Sequence, residues 1–264
     1  MKVGCNTVLF RETDVFTAME HIAWAGYDAV EFAAIPGMVD HLASDDPEHL
    51  RRVKARAAEL GLTPVAIEAA TNDRARLNHV MRQALELGVP IVNIGPGGKS
   101  GDEQSFRHAI AVLRELARDA EALGVKLGLK PHVGNAVYNT DTALRAMAEI
   151  GSPAVGLNFD PSHLYRAEEN PEESARRMGR YIIISHFRDC LSRERQVGPP
   201  ETQVPGRGAI NIPAVLRALK DVGYDYALDL EIIGAKEYSR EQCCVIAAES
   251  RGHMQACLQA CGAR

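Results

Sequence analysis

Short apolar segments alternate along this chain with longer segments in which apolar residues recur at helical spacing. Apolar runs of this kind, rich in branched residues and bounded by Gly or Pro, are typical of strands buried on both faces. The eight predicted strands comprise residues 3–9, 29–33, 63–67, 91–94, 125–129, 154–159, 181–185 and 226–230. Eight strands that each precede a helix predict an α/β fold, a single (β/α)8 TIM barrel over residues 1–264. An open, doubly wound parallel sheet is the alternative.

The predicted helices repeatedly end at Leu-Gly or a similar pair and lead into the next strand within a few residues, as α/β folds require. They comprise residues 15–25, 47–60, 73–87, 103–123, 140–150, 171–178, 213–222 and 240–261. Asp45 or Asp46 is predicted to cap the second helix. Residues 191–208, after the seventh strand, form a long polar loop, and loops of this length often border a ligand.

Charge and cysteine content narrow the classes of partner. The 264 residues carry a net charge of −5 and an isoelectric point near 6.0, so the sequence lacks the basic surface typical of nucleic-acid binding. No segment has the ~20 apolar residues of a membrane span, and no leader is evident. Six cysteines without a C-x-x-C pair indicate reduced thiols. These features predict a cytoplasmic protein with a small-molecule substrate; they leave a homo-oligomer open.

Polar residues follow the later predicted strands. The carboxyl ends of parallel strands meet at one rim, so Asp160, His186 and Glu231 are expected to converge there. Two carboxylates and an imidazole suit Mn²⁺ or Mg²⁺, and also Co²⁺ or Zn²⁺. Structural alternatives exist for each residue: Asp160 as a helix cap before Pro161, His186 as a buried structural histidine, and Glu231 as the partner in an ion pair.

Several segments together resemble the xylose-isomerase-like superfamily of sugar isomerases and epimerases, with endonuclease IV as a distant relative. They are residues 27–31, 158–163, 186–189 and 206–211, together with Glu231. The resemblance implies a (β/α)8 barrel with a divalent-metal site whose ligands are Glu, Asp, His and Glu after strands five to eight. The last three correspond to Asp160, His186 and Glu231. The family histidine that often contacts substrate corresponds to His163.

Lys130 stands where this family has its first glutamate ligand. A protonated lysine cannot bind a metal ion, so three arrangements are open. His132 completes the ligand set, the ion is held by three protein groups and water, or Lys130 replaces the ion. A buried lysine can also act as an acid or base. The structural alternative is an ion pair of Lys130 with Glu231 or Asp160.

The resemblance and the predicted site together indicate an enzyme that isomerises or epimerises a sugar by abstracting a proton next to a carbonyl group. Glu231, Lys130 and His163 are the expected catalytic residues, with the metal ion or Lys130 stabilising the enediolate. The expected substrate-binding residues are His132, Arg188, Asn6 and Asn135, with Glu68 and Asn93 as weaker candidates. Two alternatives are a lyase that eliminates a β-substituent from a keto-sugar, and a non-catalytic barrel subunit.

Overall fold

The computed structural model describes residues 1–44 and 46–264, and its centre is a closed barrel of parallel strands. The strands are β1 (Lys2–Asn6), β2 (Ala29–Ile35), β3 (Thr63–Glu68), β4 (Ile91–Ile94), β5 (Lys126–Leu129), β6 (Val155–Phe159), β7 (Ile182–Phe187) and β8 (Ala227–Leu230). Each strand pairs with the next in sequence, and β1 pairs with both β2 and β8. Gly4 lies opposite Ala29 on one side and Asp229 on the other, so the sheet closes and the open-sheet alternative is wrong.

The described residues include nine α-helices, because two short helices follow β6 where one was predicted. They are α1 (Val15–Trp24), α2 (Pro47–Glu59), α3 (Arg74–Leu87), α4 (Glu103–Leu123), α5 (Thr140–Ile150), α6 (Pro161–Arg166), α7 (Pro171–Met178), α8 (Ile212–Asp221) and α9 (Arg240–Ala260). Asp46 caps α2 by accepting a hydrogen bond from the backbone N–H of Glu48, whereas Asp45 lies outside the described residues. None of the described helices is long and apolar enough to cross a membrane.

Four predicted strands end at other residues than expected, and the changes in β1 and β7 concern the site most directly. β1 stops at Asn6 because its side chain accepts a hydrogen bond from the backbone N–H of Val8 and begins a short 3₁₀ turn, Thr7–Phe10. β7 continues through His186 to Phe187, so His186 lies within the strand rather than after it. A two-residue strand, Val39–Asp40, also pairs antiparallel with the end of β2.

The main hydrophobic core lies between the strands and the surrounding helices, where large side chains such as Phe32, Phe159 and Phe187 are fully buried. The barrel interior has its own small apolar layer of Ala66, Ile91 and Ile184. Since side chains on one face of a strand recur at every second residue, the next inward layer toward the carboxyl ends is polar. That layer holds Glu68, Asn93 and His186, and it forms the floor of the site.

Candidate active site

Lys130 lies at the centre of the polar layer, directly after β5. Its ammonium nitrogen is 2.9 Å from Oε1 of Glu231, 3.5 Å from Oε2 of Glu68 and 3.1 Å from Nδ1 of His186. All four side chains are buried. The lysine therefore joins groups from four different strands into one cluster, which fits the structural alternative of an ion pair as well as a chemical role.

His186 is held from its other ring nitrogen by Glu31. Nε2 of His186 lies 2.8 Å from Oε2 of Glu31, and the carboxylate of Glu31 accepts hydrogen bonds from the amides of Asn6 and Asn93 at 2.8 Å and 2.5 Å. Burial would lower the pKa of His186, but Glu31 and Glu231 outweigh it and raise that pKa well above its usual value, so the ring is cationic with a hydrogen on Nε2 toward Glu31. Glu31 was not among the predicted site residues; the signal was a carboxylate inside the apolar run of β2.

Arg188 links the cluster to the carboxyl end of β6. Its guanidinium lies 3.3 Å from Oδ2 of Asp160 and 3.2 Å from Oε2 of Glu231. It also donates to Oγ of Ser162 at 2.9 Å and contacts Nε2 of His163 at 2.8 Å. Arg188 is only 2% exposed, so its charge is offset by these buried carboxylates rather than by water.

Asp160 serves both as a helix cap and as part of the site. Its Oδ1 accepts hydrogen bonds from the backbone and hydroxyl of Ser162, which begins α6 with Pro161 at its first position. Its Oδ2 is buried, forms no hydrogen bond and lies beside Arg188 and His163. The predicted cap and the predicted rim carboxylate are therefore the two oxygens of one side chain.

The charges of this cluster shift the pKa values of its members. Burial would raise the pKa of Glu231, but Lys130, His186 and Arg188 outweigh it and hold that pKa well below its usual range. Burial opposes the charge of Lys130, yet Glu231 and Glu68 raise its pKa above the ordinary value. Burial raises the pKa of Glu68. Lys130 and Glu231 are therefore both charged. Of the two carboxyl groups that contact Lys130, that of Glu68 is protonated more easily than that of Glu231.

A cavity of about 490 Å³ opens above Arg188. His132 and His163 line it with their rings 4.0 Å apart, together with Arg166 and part of the loop after β7, residues 195–199. Burial and the charges of Lys130 and Arg188 lower the pKa of His132 to about 4, and burial with neighbouring His132 and the arginines lowers that of His163 well below its usual value. Both rings are therefore neutral near pH 7.

The comparison with known proteins agrees with the observed fold. A family model described as xylose isomerase-like TIM barrel matches residues 19–249. The chain belongs to the xylose isomerase-like TIM barrel family. Inosose isomerase of Bacillus velezensis is 27% identical over 234 residues, covering 81% of this chain and 81% of the relative. D-psicose 3-epimerase of Enterocloster bolteae is 26% identical over 231 residues, covering 83% and 68%.

A solved member of the same fold, the IOLI protein with a bound zinc atom, superimposes with a TM-score of 0.78. It is 23% identical, and the match covers 99% of this chain and 98% of that one. At this identity the match establishes the shared fold. The family resemblance and the (β/α)8 barrel expected from the sequence are both confirmed.

Two groups of side chains bring possible ligand atoms within 4.8 Å of one another: Glu31–Glu68–His186 and Asp160–His186–Glu231. The second is the predicted metal set, and Oδ2 of Asp160 and Oε2 of Glu231 form no hydrogen bond. The ammonium of Lys130, however, lies 2.9 Å and 3.1 Å from two of the three donors. Arg188 contacts the oxygens of the two carboxylates that form no hydrogen bond, Oδ2 of Asp160 and Oε2 of Glu231. A divalent ion bound ~2.0–2.2 Å from these donors would lie beside both cations, so the residues do not fit such an ion while Lys130 is charged.

The remaining predicted contacts divide into two sets. Asn6, Asn93 and Glu68 lie in the buried layer and hold other side chains rather than facing the cavity. Asn135 lies in the turn after β5, where its backbone N–H donates to the carbonyl of His132; its side chain forms no hydrogen bond with the other described residues. Its role in substrate binding stays a prediction.

Proposed function

We propose that this chain is a sugar isomerase or epimerase in which Lys130, rather than a divalent ion, stabilises the negative charge that develops on the substrate. The observation that carries this proposal is the position of the ammonium, in contact with both Glu231 and His186. The relatives named inosose isomerase and D-psicose 3-epimerase support the class of reaction. Isomerisation and epimerisation share one first step, removal of a proton next to a carbonyl group.

Glu231 is the base in this proposal. Its carboxylate is ionised because three cationic groups surround it, and its Oε2 forms no hydrogen bond and is free to accept a proton. Removal of that proton leaves an enediolate oxygen on the neighbouring carbon. A fixed ammonium next to that oxygen stabilises its charge in a buried site better than water does, because no solvent must reorganise.

Arg188 and His163 connect the base to the cavity. Arg188 lines the cavity and also contacts Glu231, so this arginine connects a sugar bound there to the base. His163 is neutral and 2% exposed, and its ring lines the cavity, where it can contact a bound sugar. Glu68 has no exposed surface and contacts Lys130, so it acts on the substrate only through the lysine.

Deuterium exchange tests this proposal. Purified protein is incubated in D₂O with inosose and with D-psicose, the sugars in the relatives' names, and the substrates are followed by NMR and mass spectrometry. We expect deuterium at the carbon next to the carbonyl group with the sugar skeleton intact. Glu231→Gln should lower the exchange rate by about 10²-fold or more, whereas Asp225→Asn, at an exposed carboxylate far from the cluster, should not change it.

Two other results would contradict the proposal. Loss of water from the substrate would assign the chain to the lyase alternative. Absence of exchange with a folded protein and a broader set of ketoses would favour the non-catalytic barrel.

We further propose a cytoplasmic location, supported by six cysteines that are all free thiols. Assembly into a homo-oligomer stays a prediction.

A further inference from the structure

All the charged residues that line the cavity above Arg188 are arginines. We call it the basic cavity: its charged lining residues are Arg166, Arg188 and Arg195, and none of its lining residues is acidic. Arg195 lies at the exposed mouth, with its guanidinium against Gly134. A neutral sugar offers only hydroxyl groups, and binding them does not require the positive charge of three guanidinium groups around one cavity of about 490 Å³.

Arg166 is the decisive residue because it is buried without a neutralising partner. It is 6% exposed, yet none of the described carboxylates lies within ion-pair distance of it. Its guanidinium donates to the carbonyls of Ser162 and Arg195 at 3.0 Å and 2.6 Å, and contacts Nδ1 of His163 at 3.1 Å. Arg188, by contrast, contacts two carboxylates. A buried cation without an anion is costly, so a bound anion would relieve this arrangement.

His163 adds a second, independent sign of missing acceptors. Its Nδ1 faces Arg166 and the backbone N–H of Val133, and its Nε2 faces Arg188 at 2.8 Å. A neutral imidazole has one acceptor nitrogen and one N–H, so one of these donors meets another donor. The wall of the basic cavity therefore presents more hydrogen-bond donors than it can satisfy.

We infer that the basic cavity binds an oxyanion group of the sugar substrate, a carboxylate or a phosphate, between Arg166 and Arg188. Both groups match the forked donors of a guanidinium. The inference builds on the proposed function, because the anion places the rest of the sugar next to Glu231. The substrate class becomes an anionic ketose, either a sugar acid or a sugar phosphate.

The test measures binding by the intact chain, without turnover. Isothermal titration calorimetry compares neutral D-fructose with D-fructuronate and D-fructose 6-phosphate, and uses inorganic phosphate as a probe without a sugar. We expect at least one of the two anionic sugars to bind about tenfold or more tightly than D-fructose, with the difference falling at high salt. The carboxylate and phosphate arms identify which oxyanion is preferred. Equal affinities, or no saturable binding of any anion in the millimolar range, would overturn the inference.

Substitutions at Arg166, Arg176 and Arg195 test where on the protein the anion binds. Arg166→Gln should lower affinity for the preferred anion about tenfold, and by a larger factor than it lowers affinity for D-fructose. Arg176→Gln, on α7 and paired with Asp221 outside the cavity, is the matched control and should bind anions like the wild type. If Arg166→Gln is unfolded by thermal scanning, Arg195→Gln at the mouth replaces it. Unchanged anion affinity in the folded Arg166→Gln variant, or in Arg195→Gln where it replaces an unfolded Arg166→Gln, would contradict the assignment.

The outcome is separable from that of the proposed function. Anion binding without deuterium exchange would retain the basic cavity and reject the isomerase. Exchange into neutral sugars, with anionic sugars bound no more tightly, would retain the isomerase and reject the inference.

Discussion

The ammonium of Lys130 lies 2.9 Å from the carboxylate of Glu231, and both side chains are buried at the carboxyl end of the barrel. Each charge offsets the other's loss of hydration, so neither is stable there alone. The residue at position 130 therefore decides which chemistry the site can support. Where the family resemblance implies a glutamate and a metal ion, this chain supplies a fixed positive charge of its own.

Lys130→Ala should therefore abolish turnover. We expect kcat to fall by about 10²–10³-fold, because the group that stabilises the oxyanion is lost. Excess Mn²⁺ should not restore it, since the alanine adds no ligand. The kinetic comparison needs a folded variant, checked by circular dichroism and thermal unfolding, and Lys126→Ala at the exposed start of β5 is the control. Wild-type turnover in Lys130→Ala would show that the lysine is structural.

Lys130→Glu should bind a divalent ion more tightly than the wild type does. The change replaces the ammonium between Glu231 and His186 with a carboxylate as the fourth ligand, and it removes the repulsion between that ammonium and an incoming cation. After incubation with Mn²⁺ or Zn²⁺ and dialysis, elemental analysis should find about one ion per variant chain and far less in the wild type. Stoichiometric, tightly held metal in the wild type would mean that His132 or water completes the set.

Glu31 is expected to act by orienting His186. Glu31→Ala removes the acceptor of the Nε2 hydrogen and leaves the amides of Asn6 and Asn93 without their partner. Loss of such an orienting carboxylate should lower kcat by about 10–100-fold with little change in KM. Glu31→Gln, whose amide oxygen can still accept the hydrogen, should recover part of the activity. Equal losses in both variants, or a rise in KM alone, would argue against orientation.

The convergence of Asp160, His186 and Glu231 could be predicted because each follows from its place at the end of an apolar run. Glu31 was missed for a physical reason: a side chain inside a run faces either the helices or the barrel interior, and the sequence period does not say which. The contacts of Lys130 were open for a different reason. The sequence placed it at the rim, whereas its distances to Glu68 and His186 depend on how strands distant in sequence pack.

The loop after β7 is expected to set substrate affinity. Its base is fixed by Asp189, which accepts hydrogen bonds from the backbone of Gly206 and Ile210, and by Gln203, which is bonded to Ile233. Replacement of residues 194–197, which are exposed except for the half-buried Val197, by two glycines spares these anchors and removes part of the cavity wall. KM should rise by about tenfold while thermal stability stays close to that of the wild type. Unchanged KM would show that the loop does not border the substrate.

Asp229 should make the stability of the fold depend on pH. Its carboxyl lies in the barrel interior, and neither oxygen forms a hydrogen bond. Gly4 provides the space, since a Cβ there would lie 1.7 Å from Oδ1 of Asp229. Burial, with a contribution from Glu31, raises the pKa of Asp229 well above its usual value. The folded chain therefore keeps this proton at a pH where the unfolded chain has lost it.

The sign of the effect follows from that difference. A raised folded-state pKa contributes stability below the unfolded value of about 4, and this contribution is lost as pH rises toward the folded value. Asp229→Asn stays neutral throughout, so its melting temperature relative to the wild type should increase from about pH 5 to about pH 8. Asp225→Asn is the control without a slope in this range. The N-terminus lowers the pKa of Asp225, so its contribution changes only below the unfolded value of about 4 and its melting-temperature difference should stay constant from about pH 5 to about pH 8. A difference for Asp229→Asn that does not change with pH would mean that Asp229 is ionised inside the barrel, with His186 as its counter-charge.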